Sequence, residues 1–141
     1  KKIKFKKKLS CYIIEDACHA INAESMGKTA GTLGSAACFS MHPLKNLNIW
    51  GDGGMIVTND EQLHDKLVLL RNHGLINRDV CQIFAYNSRL DTLQAIVGKH
   101  LIKKIDEITE ARIDNAAFFD HELSKLSQVS IWTSGIVGLF G

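Results

Sequence analysis

The sequence predicts an α/β domain, in which short buried strands are followed by loops and amphipathic helices. Three short runs of apolar, strand-favouring residues lie between positions 11 and 58. Beyond position 58, apolar residues recur at helical spacing in two stretches. The chain has 141 residues, of which 45% are hydrophobic and 23% charged, and this composition suits a domain with a packed core rather than a disordered chain.

Three runs predict strands in the first part of the chain: residues 11–14, 36–40 and 55–58. We expect the first to be buried, with Glu15 and Asp16 at its carboxyl end. Residues 24–36 contain three glycines and predict a loop with room for one short strand. Residues 41–54 are irregular and hold the only proline and a tight glycine-rich turn, so the second and third strands should be joined by a loop.

Two helical regions follow the strands. Thr58 with Glu61 has the T-x-x-E form of a capping box and predicts a helix start, and Gly74 is placed to end that helix. Residues 75–87 predict a loop, after which Ser88, with an acid three residues on, suggests a second cap. The apolar stripe that follows predicts one long helix, or two with a bend, reaching residue 123 with weaker periodicity in its last part.

Charge is unevenly distributed. Six of the 17 basic residues are lysines in the first eight positions, KKIKFKKK, and the 11 that remain face 15 acidic residues. Ile3 and Phe5 interrupt the lysine run, which indicates an exposed helix with one apolar side rather than a basic binding arm. The mildly acidic remainder gives no reason to expect nucleic acid as a partner. No apolar run follows as in a signal peptide or reaches the roughly 20 residues of a membrane helix, so we expect a cytoplasmic protein without a membrane partner.

The four cysteines are Cys11, Cys18, Cys38 and Cys81, and no two form a C-x-x-C pair. Buried, reduced thiols in a cytosolic protein are the simplest interpretation. Zinc is a rival because histidines lie near two of the cysteines, but the spacing fits no common zinc pattern, so we predict no metal site.

Several residues could carry chemistry, and each has an ordinary structural interpretation beside the functional one. Lys45 lies between a predicted buried strand and a glycine turn, where a lysine with a lowered pKa could attack a carbonyl to form a Schiff base; it could also be an exposed lysine. Asp16 could balance the positive charge of a heterocyclic nitrogen, or cap a helix. Ser40 could donate to a phosphate oxygen, or cap its own loop. Cys18 and His19 make a poor nucleophile–base pair, because adjacent residues usually point apart.

Taken together, these segments resemble the DegT/DnrJ/EryC1/StrS family of pyridoxal-phosphate-dependent sugar aminotransferases. The resemblance rests on IIEDACHAINAESMGKTAGTLGSAACFSMHPLKNLNIWGDGGMIVTND, then LRNHG, then YNSRLDTLQAIVGKHLIKKIDEITEAR, in the family's order and covering roughly residues 12–123. It implies part of the large domain of a fold-type I transferase, with a mostly parallel sheet, flanking helices and a long helix leading to a missing small domain. It also implies pyridoxal 5'-phosphate as the cofactor.

The resemblance assigns a role to each matching residue in turn. Lys45 matches the lysine that holds the cofactor as a Schiff base and later moves the proton. Asp16 matches the acid that pairs with the pyridine nitrogen, and Ser40 matches the serine that binds the cofactor phosphate. Some family members are dehydratases with histidine in place of the lysine, so the presence of Lys45 favours transamination.

Three further positions complete the set of site residues that the resemblance implies. Cys18 falls where a small residue lies against the ring face, and is a departure from the more usual alanine. His19 matches a position, often Gln or His, that hydrogen-bonds near the ring hydroxyl or the acid. Asn87 matches a residue that reaches the phosphate from the other subunit, which implies a homodimer.

The function implied is amino transfer from an amino-acid donor such as glutamate to a nucleotide-linked keto-sugar, in cell-surface polysaccharide or amino-sugar biosynthesis. Because family members are two to three times as long, we expect a central fragment, inactive alone. Residues 1–123 would be a partial cofactor-binding large domain with its connecting helix, and residues 124–141 the start of the small domain or a truncated tail. The alternatives are a non-catalytic remnant of such an enzyme and an unrelated nucleotide-binding α/β domain.

Overall fold

The computed structural model describes residues 11–131, in which a three-stranded sheet carries the helices that follow it. The strands of this sheet are β1 (Ile14–Asp16), β4 (Ala36–Ser40) and β5 (Gly54–Thr58). Their order is β1-β4-β5, with β1 parallel to β4 and β5 antiparallel to it. Between β1 and β4, the two-residue strands β2 (Glu24–Ser25) and β3 (Lys28–Thr29) form a separate small ribbon. The predictions for the lysine run and for residues 132–141 lie outside the described residues.

The helices follow the sheet in the chain. They are α1 (Glu61–Arg71), α2 (Thr92–Leu101) and α3 (Ile105–Leu123), with a 3₁₀ turn at Ile102–Lys104 between the last two. The long apolar stripe therefore forms two helices with an interruption, one of the two forms that its periodicity predicts. Within residues 11–131, none of the helices has the length and apolar character that crossing a bilayer requires.

Register brings the ends of two strands to one edge of the sheet. Asp16, the last residue of β1, pairs with Cys38, and β4 continues two residues further to Ser40. Because β1 and β4 are parallel, their carboxyl ends lie at the same edge of the sheet. Ligands bind at this edge in open α/β sheets.

Two small clusters form the core. Ala17, Ala37 and Phe39 make the first, next to the sheet. Met41, Leu47 and Ile49 make the second, and half-buried residues at the start of α2 and around the 3₁₀ turn pack against it: Leu90, Leu101 and Ile105. The second cluster brackets position 45 in the sequence, so its packing fixes the loop that carries the lysine.

The prediction for the first strand is wrong in position and in burial. The strand is Ile14–Asp16 rather than residues 11–14, and the side chains of Tyr12 and Ile14 are 81% and 70% exposed. Its apolar residues predict burial on both faces, but within the described chain β1 is an edge strand that pairs with β4 alone. The predicted burial of the cysteines is wrong as well, because Cys11 and Cys81 are exposed and the other two are half-buried.

Both predicted helix caps are displaced towards aspartates. Asp60 caps α1 by accepting from the Leu63 amide at 3.1 Å, whereas the Thr58 hydroxyl donates to the carbonyl of Ser35 at 2.7 Å. In the same way, Asp91 caps α2 in place of Ser88. An ionised side chain at the N-cap binds the free amides and also opposes the positive end of the helix dipole, which favours aspartate over a hydroxyl already in use.

The predicted end of the first helix is confirmed. Gly74 adopts a φ of +68°, and its amide donates to the carbonyl of Leu69 at 2.8 Å. This left-handed closure satisfies one of the last helical carbonyls.

Candidate cofactor-binding site

Lys45 lies on a closed loop between β4 and β5. The Met41 amide donates to the carbonyl of Gly53 at 2.9 Å, and the Ile49 amide donates to the carbonyl of Met41 at 3.3 Å. Within the loop, the Lys45 amide donates to the carbonyl of His42 at 2.9 Å and makes a tight turn. Buried side chains on both sides of this turn hold the loop, so that the half-buried Lys45 is presented from a fixed backbone.

A second tight segment follows β1. The Ala17 amide donates to the carbonyl of Cys38 at 2.9 Å, and the side chain of Ala17 is 3% exposed, so the chain stays anchored to β4 as it leaves the sheet. One carboxylate oxygen of Asp16 accepts from the Cys18 amide at 3.2 Å. This bond orients the Asp16 carboxylate at the strand end.

The two segments meet at Lys45 and His19. The amine Nζ of Lys45 lies 2.6 Å from Nε2 of His19 and 3.4 Å from Nδ1 of the same ring. The two ring nitrogens flank the same carbon and their in-plane directions diverge, so an amine in line with one nitrogen could not be so close to the other. The amine therefore lies beside the ring and out of line with both nitrogens. Lys45 and His19, which are 26 positions apart in sequence, are thus in contact.

Hydrogen bonds and nearby charges set the ionisation of Asp16. Hydrogen bonds from the Cys18 thiol and amide hold the pKa of Asp16 below its ordinary value. Desolvation acts against them, and the charges of His19 and Lys45 lower the pKa by smaller amounts. Asp16 is therefore an anion at neutral pH.

Cys18 responds in the opposite direction. Its hydrogen bond to Asp16, burial and the negative charge of that carboxylate raise the pKa of the Cys18 thiol. The thiol also lies 3.8 Å from the carbonyl oxygen of Cys38, so its single proton can be shared with either acceptor. Cys18 is thus a neutral, half-buried side chain next to Asp16 at the strand end.

Ser40 and Asn87 are placed differently. Ser40 ends β4 at the same edge of the sheet, and its hydroxyl oxygen accepts from the His42 amide at 3.4 Å. Asn87 lies in an isolated bridge with Asn72, and its side-chain oxygen accepts from the Arg89 amide at 3.3 Å. Within residues 11–131, Asn87 makes no hydrogen bond with Lys45. The structure thus brings Lys45 into contact with His19, in the segment after β1 that also holds Asp16 and Cys18, and Ser40 ends the adjacent strand.

Two polar residues that support the site were not predicted. Glu15 accepts from three backbone amides of the glycine-containing segment after the ribbon, at 2.5–2.8 Å. The side-chain amide of Asn22 donates to Asp106 at 2.9 Å and to Thr109 at 3.3 Å. The two bonds of Asn22 join the segment after β1 to α3, more than 80 positions further along the chain. No local sequence pattern predicts them.

The family model for DegT/DnrJ/EryC1/StrS aminotransferases matches residues 3–134. A "Pleiotropic regulatory protein" of Geobacillus stearothermophilus is 42% identical over 113 residues, which cover 80% of this chain and 30% of that protein. The UDP-4-amino-4,6-dideoxy-N-acetyl-beta-L-altrosamine transaminase of Campylobacter jejuni is 34% identical over 124 residues, covering 84% of this chain and 32% of that protein.

Solved structures agree with the sequence comparison. Streptomyces venezuelae DesV, solved with a ketimine intermediate, superposes with a TM-score of 0.79 at 32% identity, over 97% of this chain and 38% of DesV. The chain thus spans about a third of the length of the proteins it matches. The likeness confirms the predicted α/β fold as part of a fold-type I transferase, and confirms pyridoxal phosphate as the cofactor of this class. With a family match over nearly its whole length, the chain belongs to the DegT/DnrJ/EryC1/StrS aminotransferase family.

Proposed function

We propose that this chain supplies the lysine and the acid of a sugar aminotransferase. By the intact protein we mean this chain together with the remainder that its longer relatives lead us to infer. The intact protein would move an amino group from an amino-acid donor, with glutamate as the first candidate, to a nucleotide-linked keto-sugar. The observation that carries the proposal is the approach of the Lys45 amine to the segment after β1, 2.6 Å from His19.

The residues present fit pyridoxal phosphate. The support is that Asp16 and Ser40 end the parallel strands β1 and β4 at one edge of the sheet, and that the Lys45 amine reaches the segment after β1. Lys45 would hold the cofactor covalently, Asp16 would pair with its pyridine nitrogen, and Ser40 would donate to its phosphate. When bound, the cofactor supplies an electron sink for the substrate carbanion.

Each side chain has a task that follows from its setting. Asp16 stays ionised at neutral pH and so keeps a positive charge on the ring nitrogen favourable. Lys45, once its amine is free, can hold and move a proton at the substrate carbon, because its loop is fixed by the buried cluster on both sides. Cys18 keeps its proton and adds no charge beside Asp16, which suits a residue against the ring face.

The assembly and the wider role belong to the same proposal. Asn87 is exposed and its side chain bonds to its own loop, which leaves it open to a role in the site of a second subunit of a homodimer. Residues 1–123 would belong to the cofactor-binding large domain and its connecting helix, and residues 124–141 to the start of the small domain. The enzyme would act in the cytoplasm, in polysaccharide or amino-sugar biosynthesis.

Cofactor attachment tests the central claim. The intact protein, incubated with pyridoxal phosphate and reduced with borohydride, should carry the cofactor mass on the peptide that contains Lys45. Lys45→Ala should abolish that adduct, while Lys28→Ala, a change on the exposed ribbon, should leave it intact. Absence of cofactor uptake by the wild type, or an adduct on another lysine, would overturn the proposal. Product masses from a panel of keto-sugar nucleotides with glutamate would then identify the acceptor.

A further inference from the structure

Glu15 makes a set of hydrogen bonds that the proposed chemistry does not use. One carboxylate oxygen accepts from the Gly31 amide at 2.8 Å, and the other accepts from the amides of Leu33 at 2.6 Å and Gly34 at 2.5 Å. These three hydrogen bonds from backbone amides to one half-buried carboxylate are charge-assisted, and such bonds are about twice as strong as neutral ones. Glu15 therefore fixes residues 31–34 against β1.

The backbone of this segment can approach Glu15 only because two of its residues lack a side chain. Gly31 has a φ of +93°, and a Cβ there would be 2.6 Å from Cζ of the buried Phe39. A Cβ on Gly34 would be 2.7 Å from the carbonyl oxygen of Ile13 and 3.1 Å from Cγ of Glu15. The glycines and the carboxylate thus form one fitted unit, in which the backbone packs directly on the acid.

This unit stands where β4 begins. The Ser35 amide donates to the carbonyl of Ile13 at 2.7 Å, and Ala36 pairs with Ile14 in the first step of the parallel ladder. Glu15 itself pairs with Ala37. By holding the segment that leads into β4, Glu15 fixes the position of β4 along the strand direction relative to β1.

The axial position of β4 matters for the site at its other end. Asp16 belongs to β1, whereas Ser40 ends β4 and Lys45 follows it. A shift of one residue along a strand moves a group by about 3.3 Å, which is comparable to a whole hydrogen-bond length. Groups that must touch one small cofactor from two strands cannot tolerate such a shift.

We propose that Glu15 is a positioning residue for the cofactor site, whose carboxylate sets the register between the strand that bears Asp16 and the strand that leads to Lys45. The inference rests on the proposed function, because the site it positions is the cofactor site. A purely local role would be to hold residues 31–34 in place with no effect beyond Ser35.

The test compares Glu15→Gln with Glu24→Gln in the intact protein. Glutamine keeps the size of Glu15 but replaces one acceptor oxygen with an NH2 donor group. At least one of the backbone amides of residues 31–34 would then face another donor in place of an acceptor. Glu24 is exposed on β2 and serves as the matched control. Apoprotein hydrogen exchange is measured by mass spectrometry for peptides covering residues 31–35 and 41–49, and the dissociation constant of pyridoxal phosphate is measured well below the unfolding temperature.

We expect Glu15→Gln to speed exchange in both peptides and to weaken pyridoxal phosphate binding about tenfold, the effect of losing one or two charge-assisted bonds. Glu24→Gln should match the wild type. Faster exchange confined to residues 31–35 with an unchanged dissociation constant would overturn the positioning role and leave the proposed function standing. Failure of the wild type to bind the cofactor would overturn both.

Discussion

Replacing Gly53 with alanine should strain the loop that carries Lys45, and replacing Ile49 with valine should relieve part of that strain. Ile49 is fully buried, and a Cβ on Gly53 would lie 2.3 Å from its Cδ1 atom and 2.9 Å from Cδ1 of Leu90. Real Cβ atoms do not approach other atoms so closely, so side chains in the cluster around Ile49 must move. Valine lacks the Cδ1 atom that makes the closer contact.

The magnitudes follow from packing. Overpacking at Gly53→Ala should cost about 1–3 kcal/mol of the free energy of unfolding. Ile49→Val alone should cost about 0.5–1.5 kcal/mol, because one buried methyl group is lost. In the double variant the closest contact no longer exists, so the total should be smaller than the sum by about 1 kcal/mol or more. The contact with Leu90 remains, and rescue should therefore be partial.

Gly98 offers a matched control within α2. A Cβ there would lie 3.1 Å from Cγ2 of Ile49, an atom that valine retains. Ile49→Val should therefore give no relief to Gly98→Ala, and that pair should be additive within about 0.5 kcal/mol. The assay is urea unfolding of the intact apoprotein at one protein concentration, with the yield of the Lys45 adduct as a second readout. Additivity of the Gly53 pair, or equal coupling in both pairs, would refute this account of the loop.

Two further outcomes follow from the site and its supports. In apoprotein, Asp16→Asn removes the negative charge and one of the two acceptor oxygens that raise the pKa of Cys18. Iodoacetamide should therefore label Cys18 several-fold faster at pH 8, measured by peptide mass spectrometry against Cys81, and an unchanged ratio would contradict the assigned cause. Asn22 has a φ of 60° and donates hydrogen bonds to α3. Asn22→Ala should therefore lower the free energy of unfolding by about 1–3 kcal/mol, through the lost hydrogen bonds and a strained backbone, whereas Asn22→Gly should lower it by less. Equal losses in urea unfolding would rule out the backbone contribution.

The sequence predicts best those elements whose cause is local. Residues 36–40 form the predicted strand, residues 54–58 differ from the prediction by one position, and Gly74 ends its helix as predicted. The failures come from competition that spacing alone cannot resolve. The Thr58 hydroxyl bonds to Ser35, 23 positions away, and a neighbouring aspartate then becomes the better cap. The run at residues 11–14 has a composition that suits burial, but burial depends on neighbours that the run does not specify.

The same division holds within the site. Lys45 and Asp16 stand out as candidates in the sequence because a lysine after a buried strand and an acid at a strand end are residue types that the proposed chemistry requires. Whether they can serve one cofactor depends on the parallel pairing of β1 with β4, which the sequence suggests only through the resemblance. Glu15 is indistinguishable from a solvated acid in sequence, because its three partners are backbone amides with no residue signature.

Strand β4 links packing to the proposed chemistry, because groups that take no part in the proposed reaction hold it at both ends. At its start, the Glu15 carboxylate fixes the segment that enters the strand. At its end, Ile49 fills the space left open by Gly53 and Gly98 and closes the loop of Lys45. If the two supports act on one rigid strand, a change at either end should alter the placement of the same amine, so combining Glu15→Gln with Gly53→Ala should reduce the Lys45 adduct by less than the product of the two separate effects. Independent, multiplicative losses would mean that the two ends of the strand are not mechanically joined.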